Sequence, residues 1–231
     1  MTRSVPSRAE YLDTWQTLHA GYDPRSSRIV GPWLSLVYAC ARPLARIGLS
    51  PDVVTLLGLL VSGAVVALCA LGGRWVLLAA FVVGASGLLD SLDGAVAVLT
   101  DRATRWGAVL DSVVDRVSDL LYLVALWLVG APAWLCVGAG AVVLVQEYSR
   151  ARATAIGMDD VGVITIGERP TRVIVVAMFL VGAGIYSGPG ELLAGGPSSA
   201  AWWAVLGAAA SLVIALVALT QLLVVVRRRL S

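Results

Sequence analysis

The chain alternates long apolar stretches with short polar connections, a pattern typical of helices that cross a bilayer. Each stretch reaches or approaches the roughly 20 residues that a helix needs to span the hydrocarbon. The pattern therefore predicts an all-α integral membrane protein with six transmembrane helices. The stretches lie near residues 53–72, 75–99, 107–130, 133–156, 171–188 and 200–226.

The part of the chain ahead of these stretches divides in two. Residues 1–31 form a polar, arginine-dotted arm, which we interpret as a flexible or surface-bound segment. Residues 32–49 mix apolar side chains with arginines, which predicts a juxtamembrane amphipathic helix on the cytoplasmic leaflet, interrupted around Pro43. Residues 50–231 then form one six-span domain, in which we find no internal repeat.

The placement of arginine predicts the orientation in the membrane. All 17 basic residues are arginines, and with six spans all but Arg74 and Arg116 lie at the two termini or in the loops on the same side. Basic residues concentrate on the cytoplasmic side of membrane proteins. We therefore expect a multi-pass protein of the cell membrane whose termini are both cytoplasmic. The composition agrees, because only 14% of the residues are charged, against about 25% in soluble domains.

Aspartates lie inside two apolar stretches, where charge is expensive, and four of them form two pairs, with Asp119 at the margin of the second. Asp90 and Asp93 fall in the second stretch, and Asp111 and Asp115 fall in the third. A charge near the centre of a bilayer helix costs roughly 2.5–3.5 kcal/mol on insertion scales, so acids there usually mark a functional site. Their spacing places each pair on one face of its helix. Because the two helices are antiparallel neighbours, these faces are expected to meet near the cytoplasmic end.

The chemistry of such a cluster favours hard cations. Carboxylate oxygens without histidine or cysteine ligands select Mg²⁺ or Mn²⁺, and the single histidine, His19, lies in the arm. Two ions about 3.5–4 Å apart would satisfy four carboxylates and clamp a phosphoryl group. The alternative is a structural salt-bridge network with Arg102, Arg105 and Arg116, although three arginines do not neutralise all of the acids.

The acids belong to a longer pattern that resembles the signature of the CDP-alcohol phosphotransferases, membrane enzymes with six spans. The resemblance implies that the four aspartates hold two divalent ions, Mg²⁺ or Mn²⁺, at the diphosphate of a CDP-linked lipid. It also implies that Asp115 takes the proton from the attacking alcohol, and that the small residues of the pattern line the cytidine diphosphate pocket. The pattern is Asp90-x2-Asp93-Gly94-x2-Ala97-x9-Gly107-x3-Asp111-x3-Asp115.

The chain departs from the family pattern at Val98, where an arginine normally follows the alanine. Arg102 lies one turn later and is expected to take over its place at the nucleotide if the helix continues.

Residues 49–55 are similar to the segment that opens the first span in phosphatidylinositol phosphate synthases. This implies that Pro51, Asp52 and Thr55 border the nucleotide. The preference of helix N-termini for proline and acidic residues explains these positions almost as well.

Two basic elements resemble those of the synthases that use inositol phosphate, namely the segment from Tyr148 to Arg152 and the triplet Glu168-Arg169-Pro170. Guanidinium groups suit an acceptor that carries phosphate, but arginines at inner helix ends are equally common as membrane anchors. The chain departs from these synthases at Thr154 and at Gln221-Leu222. The residues assigned to the acceptor are Arg105, Tyr148, Arg150, Arg152 and Arg169.

The resemblance thus implies an enzyme that transfers a phosphatidyl group from CDP-diacylglycerol to an alcohol, with release of CMP. The expected acceptor is an inositol phosphate, with glycerol 3-phosphate second, and a homodimer surrounded by membrane lipid is expected, with no nucleic acid as partner. Two alternatives stay open. One is a catalytically weakened paralogue that binds CDP-lipid without turnover, which Val98 suggests. The other is a cation-coupled transporter, although such proteins usually contain internal repeats.

Overall fold

The computed structural model describes residues 5–19, 21–158, 165–187 and 199–230, and within these ranges all regular structure is helical. Helices α1 and α2 precede six helices that are all longer than they are. A short 3₁₀ turn, Pro24–Ser26, separates α1 from α2. The helices are α1 Arg8–Leu18, α2 Val30–Arg46, α3 Pro51–Leu71, α4 Arg74–Thr100, α5 Arg105–Val129, α6 Ala133–Ala155, α7 Arg169–Tyr186 and α8 Ser199–Leu230.

The helices from α3 onward follow the six predicted stretches closely. Four of them, α3, α4, α7 and α8, are long and apolar enough to cross a membrane. Helices α5 and α6 have 25 and 23 residues but carry a higher share of charged side chains. Large apolar side chains such as Phe81, Leu60 and Met178 point outward, as expected for helices surrounded by lipid chains. The described part of the chain is thus all-helical, with four candidate membrane spans.

The arm contains a helix that the sequence analysis did not predict. Helix α1 starts with a capping box, in which the Ser7 side chain accepts from the Glu10 amide and the Glu10 carboxylate accepts from the Ser7 amide. Tyr11 and Leu12 are buried in a core that they share with α2. The Tyr38 hydroxyl of α2 also donates to the Pro6 carbonyl at 3.0 Å. Part of the arm is therefore a packed element.

The predicted interruption of the amphipathic helix at Pro43 was wrong. Helix α2 runs without a break through Pro43 to Arg46. A proline removes a single helical hydrogen bond, and this one lies within the last turn before the helix ends. The left-handed Gly48 follows directly, and α3 then begins at Pro51, a residue favoured at the first helical position.

The chain divides into two compact units, which are described one at a time below. The first unit comprises Met1–Leu59 and Ser86–Val114, and the second comprises Leu60–Ala85 and Asp115–Ser231. The core of the first unit joins residues of α1 and α2 to Val54 and Val96. The core of the second includes Tyr122, Leu126 and Leu180, and α6 and α7 both pack against α8.

A close helix contact within the second unit can be tested by adding one methyl group. Gly184 of α7 lies so close to α4 that a Cβ would overlap the Leu77 backbone. We expect Gly184→Ala to lower the free energy of unfolding by roughly 1–3 kcal/mol, because backbone does not yield as a side chain does. Thermal unfolding in detergent micelles measures the change. Gly84→Ala is the matched control, since a Cβ there meets nothing within 4 Å; equal melting temperatures for the two variants would contradict the prediction.

Candidate active site

Three of the four predicted acids converge in the first unit. Asp90 and Asp93 lie on α4 and Asp111 lies on α5, and one carboxylate oxygen from each falls within 4.8 Å of the others. Asp93 is buried and the other two are half-buried. Among the described residues, no histidine or cysteine belongs to this group. Three carboxylates at this separation form a set of ligands that fits a hard divalent cation.

A threonine from α3 holds the most buried of these acids. The Thr55 hydroxyl donates to Asp93 Oδ2 at 2.7 Å, and the Gly94 amide donates to Asp93 Oδ1 at 2.6 Å. Both donors fix the direction in which the carboxylate faces. Hydrogen bonds of this kind orient metal ligands in proteins. The sequence analysis assigned Thr55 to the nucleotide and did not predict this contact.

The cluster opens on a cavity of about 210 Å³ that is lined entirely by the first unit. Asp93 and Asp111 form part of its wall, and so does Val98, the residue that stands in place of the family arginine. All of the residues that the sequence analysis assigned to the nucleotide line the same cavity. They are Pro51, Asp52, Thr55, Gly94, Ala97, Arg102 and Gly107.

Arg102 reaches this cavity by a different route from the predicted one. The condition under which Arg102 would share the face of Val98 is not met, because α4 ends at Thr100, as the predicted stretch does within one residue, and Asp101 adopts a left-handed conformation with φ 55°. The Arg102 amide then donates to the Ala97 carbonyl at 3.0 Å, and its guanidinium donates to the Gly48 carbonyl at 3.2 Å. A turn therefore places Arg102 at the cavity wall.

Small residues leave the backbone of the helices accessible from the cavity. A Cβ at Gly94 would meet no atom within 4 Å, so this position faces open space. A Cβ at Gly107 would lie 3.1 Å from Thr104 Oγ1 and 3.3 Å from Asp52 Oδ1. The Gly107 amide donates to the same Thr104 oxygen at 2.9 Å, so the glycine lets the first turn of α5 approach the cavity closely.

The fourth predicted acid, Asp115, belongs to the second unit and forms an ion pair with Arg169 of α7. Both side chains are largely buried. A further group of charged residues surrounds Arg116, which lies 2.9 Å from Glu147 Oε1, 3.5 Å from Asp119 Oδ2 and 3.6 Å from Asp115 Oδ2. The salt-bridge alternative thus describes Arg116, whereas the hydrogen bond of Arg102 goes to the Gly48 carbonyl.

Residues that the sequence analysis did not assign complete this network. Arg172 Nε lies 3.2 Å from Asp119 Oδ2, and its guanidinium donates to the Gly167 carbonyl. Glu147 and Glu168 both pair with Arg150, at 3.7 and 2.8 Å. The sequence signal was the presence of Asp119 and Glu147 inside apolar stretches and of Glu168 just ahead of one, but their partners are 3 to 53 residues away along the chain.

The predicted acceptor residues are only partly brought together. Arg150 and Arg169 flank Glu168 in the second unit, where Arg150 pairs with that carboxylate. Tyr148 and Arg152 are exposed on α6. Arg105 is exposed at the first residue of α5, in the first unit. Of the five predicted acceptor residues, Arg150 and Arg169 are thus the two whose side chains are fixed by ion pairs, with Glu168 and with Asp115.

Glu168 lies just ahead of α7, outside the apolar segment. Burial raises the pKa of its carboxyl, but hydrogen bonds from the Thr165 amide and from Arg150 outweigh burial and hold that pKa below its usual value. Glu168 is therefore a charged acceptor of hydrogen bonds at neutral pH.

Comparison with known proteins identifies the family of the chain. The sequence model of the CDP-alcohol phosphatidyltransferase family matches residues 48–214, which include every acid of the cluster. The chain belongs to this family of membrane transferases of phospholipid biosynthesis.

Relatives within the family carry the names of synthases. The chain is 40% identical over 161 residues to the phosphatidylinositol phosphate synthase of Mycobacterium tuberculosis, covering 64% of this chain and 69% of the relative. It is 38% identical over 137 residues to the archaetidylinositol phosphate synthase of Methanothermobacter thermautotrophicus, covering 58% and 68%. Neither the transporter nor the non-catalytic alternative gains support from these relatives.

Solved structures show the same fold. The crystal structure of the Mycobacterium tuberculosis phosphatidylinositol phosphate synthase PgsA1 with CDP-DAG bound has a TM-score of 0.60 and 32% identity, and the match covers 81% of this chain and 94% of that one. The same enzyme in complex with manganese and citrate also has a TM-score of 0.60, with 81% and 88% covered.

The hydrogen bond from Thr55 to Asp93 predicts a measurable effect on cation binding. We expect Thr55→Val to weaken Mn²⁺ binding about 10–100-fold, because the variant keeps the shape of the side chain and loses the donor that orients the carboxylate. Electron paramagnetic resonance of free Mn²⁺ measures the affinity. Thr220→Val is the matched control, since that exposed hydroxyl bonds within its own helix. Unchanged Mn²⁺ affinity in Thr55→Val would show that Asp93 does not depend on Thr55.

Proposed function

We propose that the protein transfers the phosphatidyl group of CDP-diacylglycerol to the hydroxyl of a phosphorylated alcohol, with release of CMP. The observation that carries this proposal is the convergence of Asp90, Asp93 and Asp111. Two of these acids, Asp93 and Asp111, line a cavity that every residue assigned to the nucleotide also lines. The names of the relatives favour inositol phosphate as the acceptor over glycerol 3-phosphate.

The three converging acids would hold divalent cations, Mg²⁺ or Mn²⁺. Asp115 follows Asp111 by four residues on α5, a spacing that repeats one helix face, and it completes the proposed set of ligands for two ions. When bound, the ions supply positive charge against the diphosphate of the lipid. The complex of PgsA1 with manganese and citrate supports a divalent ion in this family.

The residues around the cavity bind and orient the nucleotide in this proposal. Gly94, Ala97 and Gly107 leave the backbone accessible, so that a diphosphate approaches the start of α5 closely. Arg102 supplies a guanidinium group at the cavity wall. Pro51 and Asp52 border the cavity from the start of α3.

Asp115 acts as the general base in the proposed reaction. Its carboxylate takes the proton of the acceptor hydroxyl while the hydroxyl oxygen forms a bond to the lipid-side phosphorus. The bond between that phosphorus and the bridging oxygen breaks, and CMP leaves with the electron pair. An alcohol is a poor nucleophile until a base removes its proton.

The acceptor phosphate would bind chiefly to two arginines of the second unit. Arg150 and Arg169 are the fixed members of this group, and Arg152, Tyr148 and Arg105 are further proposed contacts. Guanidinium groups bind phosphate through paired hydrogen bonds, which favours an acceptor that carries a phosphate over a neutral alcohol.

The setting of this reaction is the cytoplasmic face of the cell membrane. We propose that all six long helices cross the bilayer, that both termini are cytoplasmic by the distribution of arginine, and that CDP-diacylglycerol enters the site laterally from the lipid. We also propose a homodimer. The alternating glycines and alanines of segment 138–141, which suggested close helix packing, pack within the chain at Gly140 and Ala139 and do not themselves argue for it.

The role of Asp115 is tested by its neutral isostere. We expect Asp115→Asn to lower kcat for CMP release about 10²–10⁴-fold, the range that a general base contributes. The assay uses purified protein, CDP-diacylglycerol, Mg²⁺ and a panel of alcohols. Asp13→Asn, an exposed change on α1, is the control. Equal CMP release from Asp115→Asn and the wild type would contradict the role of Asp115 as the base. If the wild type released no CMP with any alcohol, the proposed enzyme activity would be wrong.

The weakened-paralogue alternative is tested at Val98, which lines the cavity. We expect Val98→Arg to lower KM for CDP-diacylglycerol about tenfold, because it adds a charge-assisted hydrogen bond to phosphate. Val98→Leu controls for the added bulk. If the wild type is active and Val98→Arg has the same KM for CDP-diacylglycerol, the expectation is wrong. Arg102 would then already supply the phosphate contact that the family arginine normally makes.

A further inference from the structure

A short turn of the second unit, Thr165–Glu168, is fixed from three neighbouring helices. Gln146 of α6 is fully buried and donates to Thr165 Oγ1 at 3.3 Å. Gln221 of α8 accepts from the Ile166 amide at 3.0 Å. Arg172 of α7 donates to the Gly167 carbonyl. Side chains of α6, α7 and α8 thus form hydrogen bonds with one side-chain hydroxyl, one amide and one carbonyl of this turn.

Close packing holds the turn as firmly as these hydrogen bonds do. A Cβ at Gly167 would lie 2.5 Å from Ala218 Cβ of α8, closer than side chains approach each other. The backbone of the turn therefore rests directly on α8, and a glycine is required for that approach. Thr165 is buried as well.

Glu168 is the centre of this arrangement. Its Oε1 atom accepts three hydrogen bonds, from the Thr165 amide at 2.9 Å, from the Thr165 hydroxyl at 2.9 Å and from Arg150 Nη2 at 2.8 Å. The next residue along the chain is Arg169. The Glu168 carboxylate thus closes the turn through Thr165 and fixes the Arg150 guanidinium. Arg169 follows Glu168 directly in the chain, so the position of its backbone depends on the same turn.

We propose that Glu168 is a positioning residue, which sets the orientation of Arg150 for the phosphate of the acceptor and fixes the start of α7, where Arg169 pairs with Asp115. The proposal rests on the proposed function, since it takes these two arginines as the acceptor site. Glu168 does not touch the reacting atoms, and a carboxylate would repel a phosphate. Its effect comes through the Arg150 guanidinium, which it orients before the acceptor arrives.

Orientation in advance matters because arginine side chains lose much freedom when they bind. Holding such a side chain in its bound geometry lowers the entropic cost of binding. Glu147 lies 3.7 Å from Arg150 Nε and Glu168 lies 2.8 Å from Arg150 Nη2, so the guanidinium plane is fixed at two edges. Without Glu168, Arg150 would keep its charge and lose its fixed direction.

The test compares the full-length variants Glu168→Ala and Glu168→Gln with the wild type in detergent micelles. We expect Glu168→Ala to raise KM for inositol phosphate and Kd for inorganic phosphate about tenfold, the effect of one charge-assisted hydrogen bond. KM for CDP-diacylglycerol should change less than about twofold. Glu168→Gln keeps an acceptor oxygen and should recover much of the affinity. Glu10→Ala, which changes a helix cap in the other unit, is the matched control.

Each outcome decides the proposal. It is overturned by an unchanged KM for inositol phosphate, or by equal rises in both KM values together with a lowered melting temperature. If Glu168→Ala does not fold, the comparison of Glu168→Gln with the wild type decides in the same way. If the wild type releases no CMP, the proposed function fails, while phosphate affinity measured by calorimetry still decides the role of Glu168. Absent or equal phosphate binding overturns that role.

Discussion

The repulsion between acidic side chains inside apolar helices is the constraint on which this structure depends. Carboxylates that approach within a few ångströms repel one another strongly where water is scarce. In the first unit Asp90, Asp93 and Asp111 nevertheless converge within 4.8 Å. Hydrogen bonds from Thr55 and Gly94 orient one of them, and a bound divalent cation would offset the remaining charge. Such an arrangement has little structural value, so it favours a function in cation binding.

The second unit meets the same constraint by pairing. Four of its acids, Asp115, Asp119, Glu147 and Glu168, form contacts with arginines from three helices. Such buried pairs contribute little to stability relative to apolar residues, but breaking one is costly. The network therefore fixes the register of the helices that contribute to it. Its members are Asp115, Arg116, Asp119, Glu147, Arg150, Glu168, Arg169 and Arg172.

The sequence was sufficient for those features that depend on periodicity. The long apolar stretches predicted the helices from α3 to α8, and the spacing of the aspartates predicted that Asp90, Asp93 and Asp111 meet. Helix α1 was missed because its composition is polar, although Ser7 and Glu10 carry the spacing of a capping box. The second stretch, predicted to end near residue 99, matches the end of α4 at Thr100. The turn that brings Arg102 to the cavity wall was not predicted, because a left-handed Asp101, unlike a glycine, gives no signal in the sequence. Pairs such as Arg172 and Asp119 depend on helix packing, which periodicity does not specify.

The balance of charge in the second unit also bears on how an acceptor would be recognised. Arg150, Arg169 and Arg172 each lie beside an acid of the same unit, so their directions are set by the protein. An unpaired cluster of arginines would attract any anion and would spread by mutual repulsion. Paired arginines attract less strongly at a distance but present their hydrogen bonds in a fixed geometry. Selectivity would then depend on the shape of the ligand as much as on its charge, which suits an enzyme that distinguishes one phosphorylated alcohol from another.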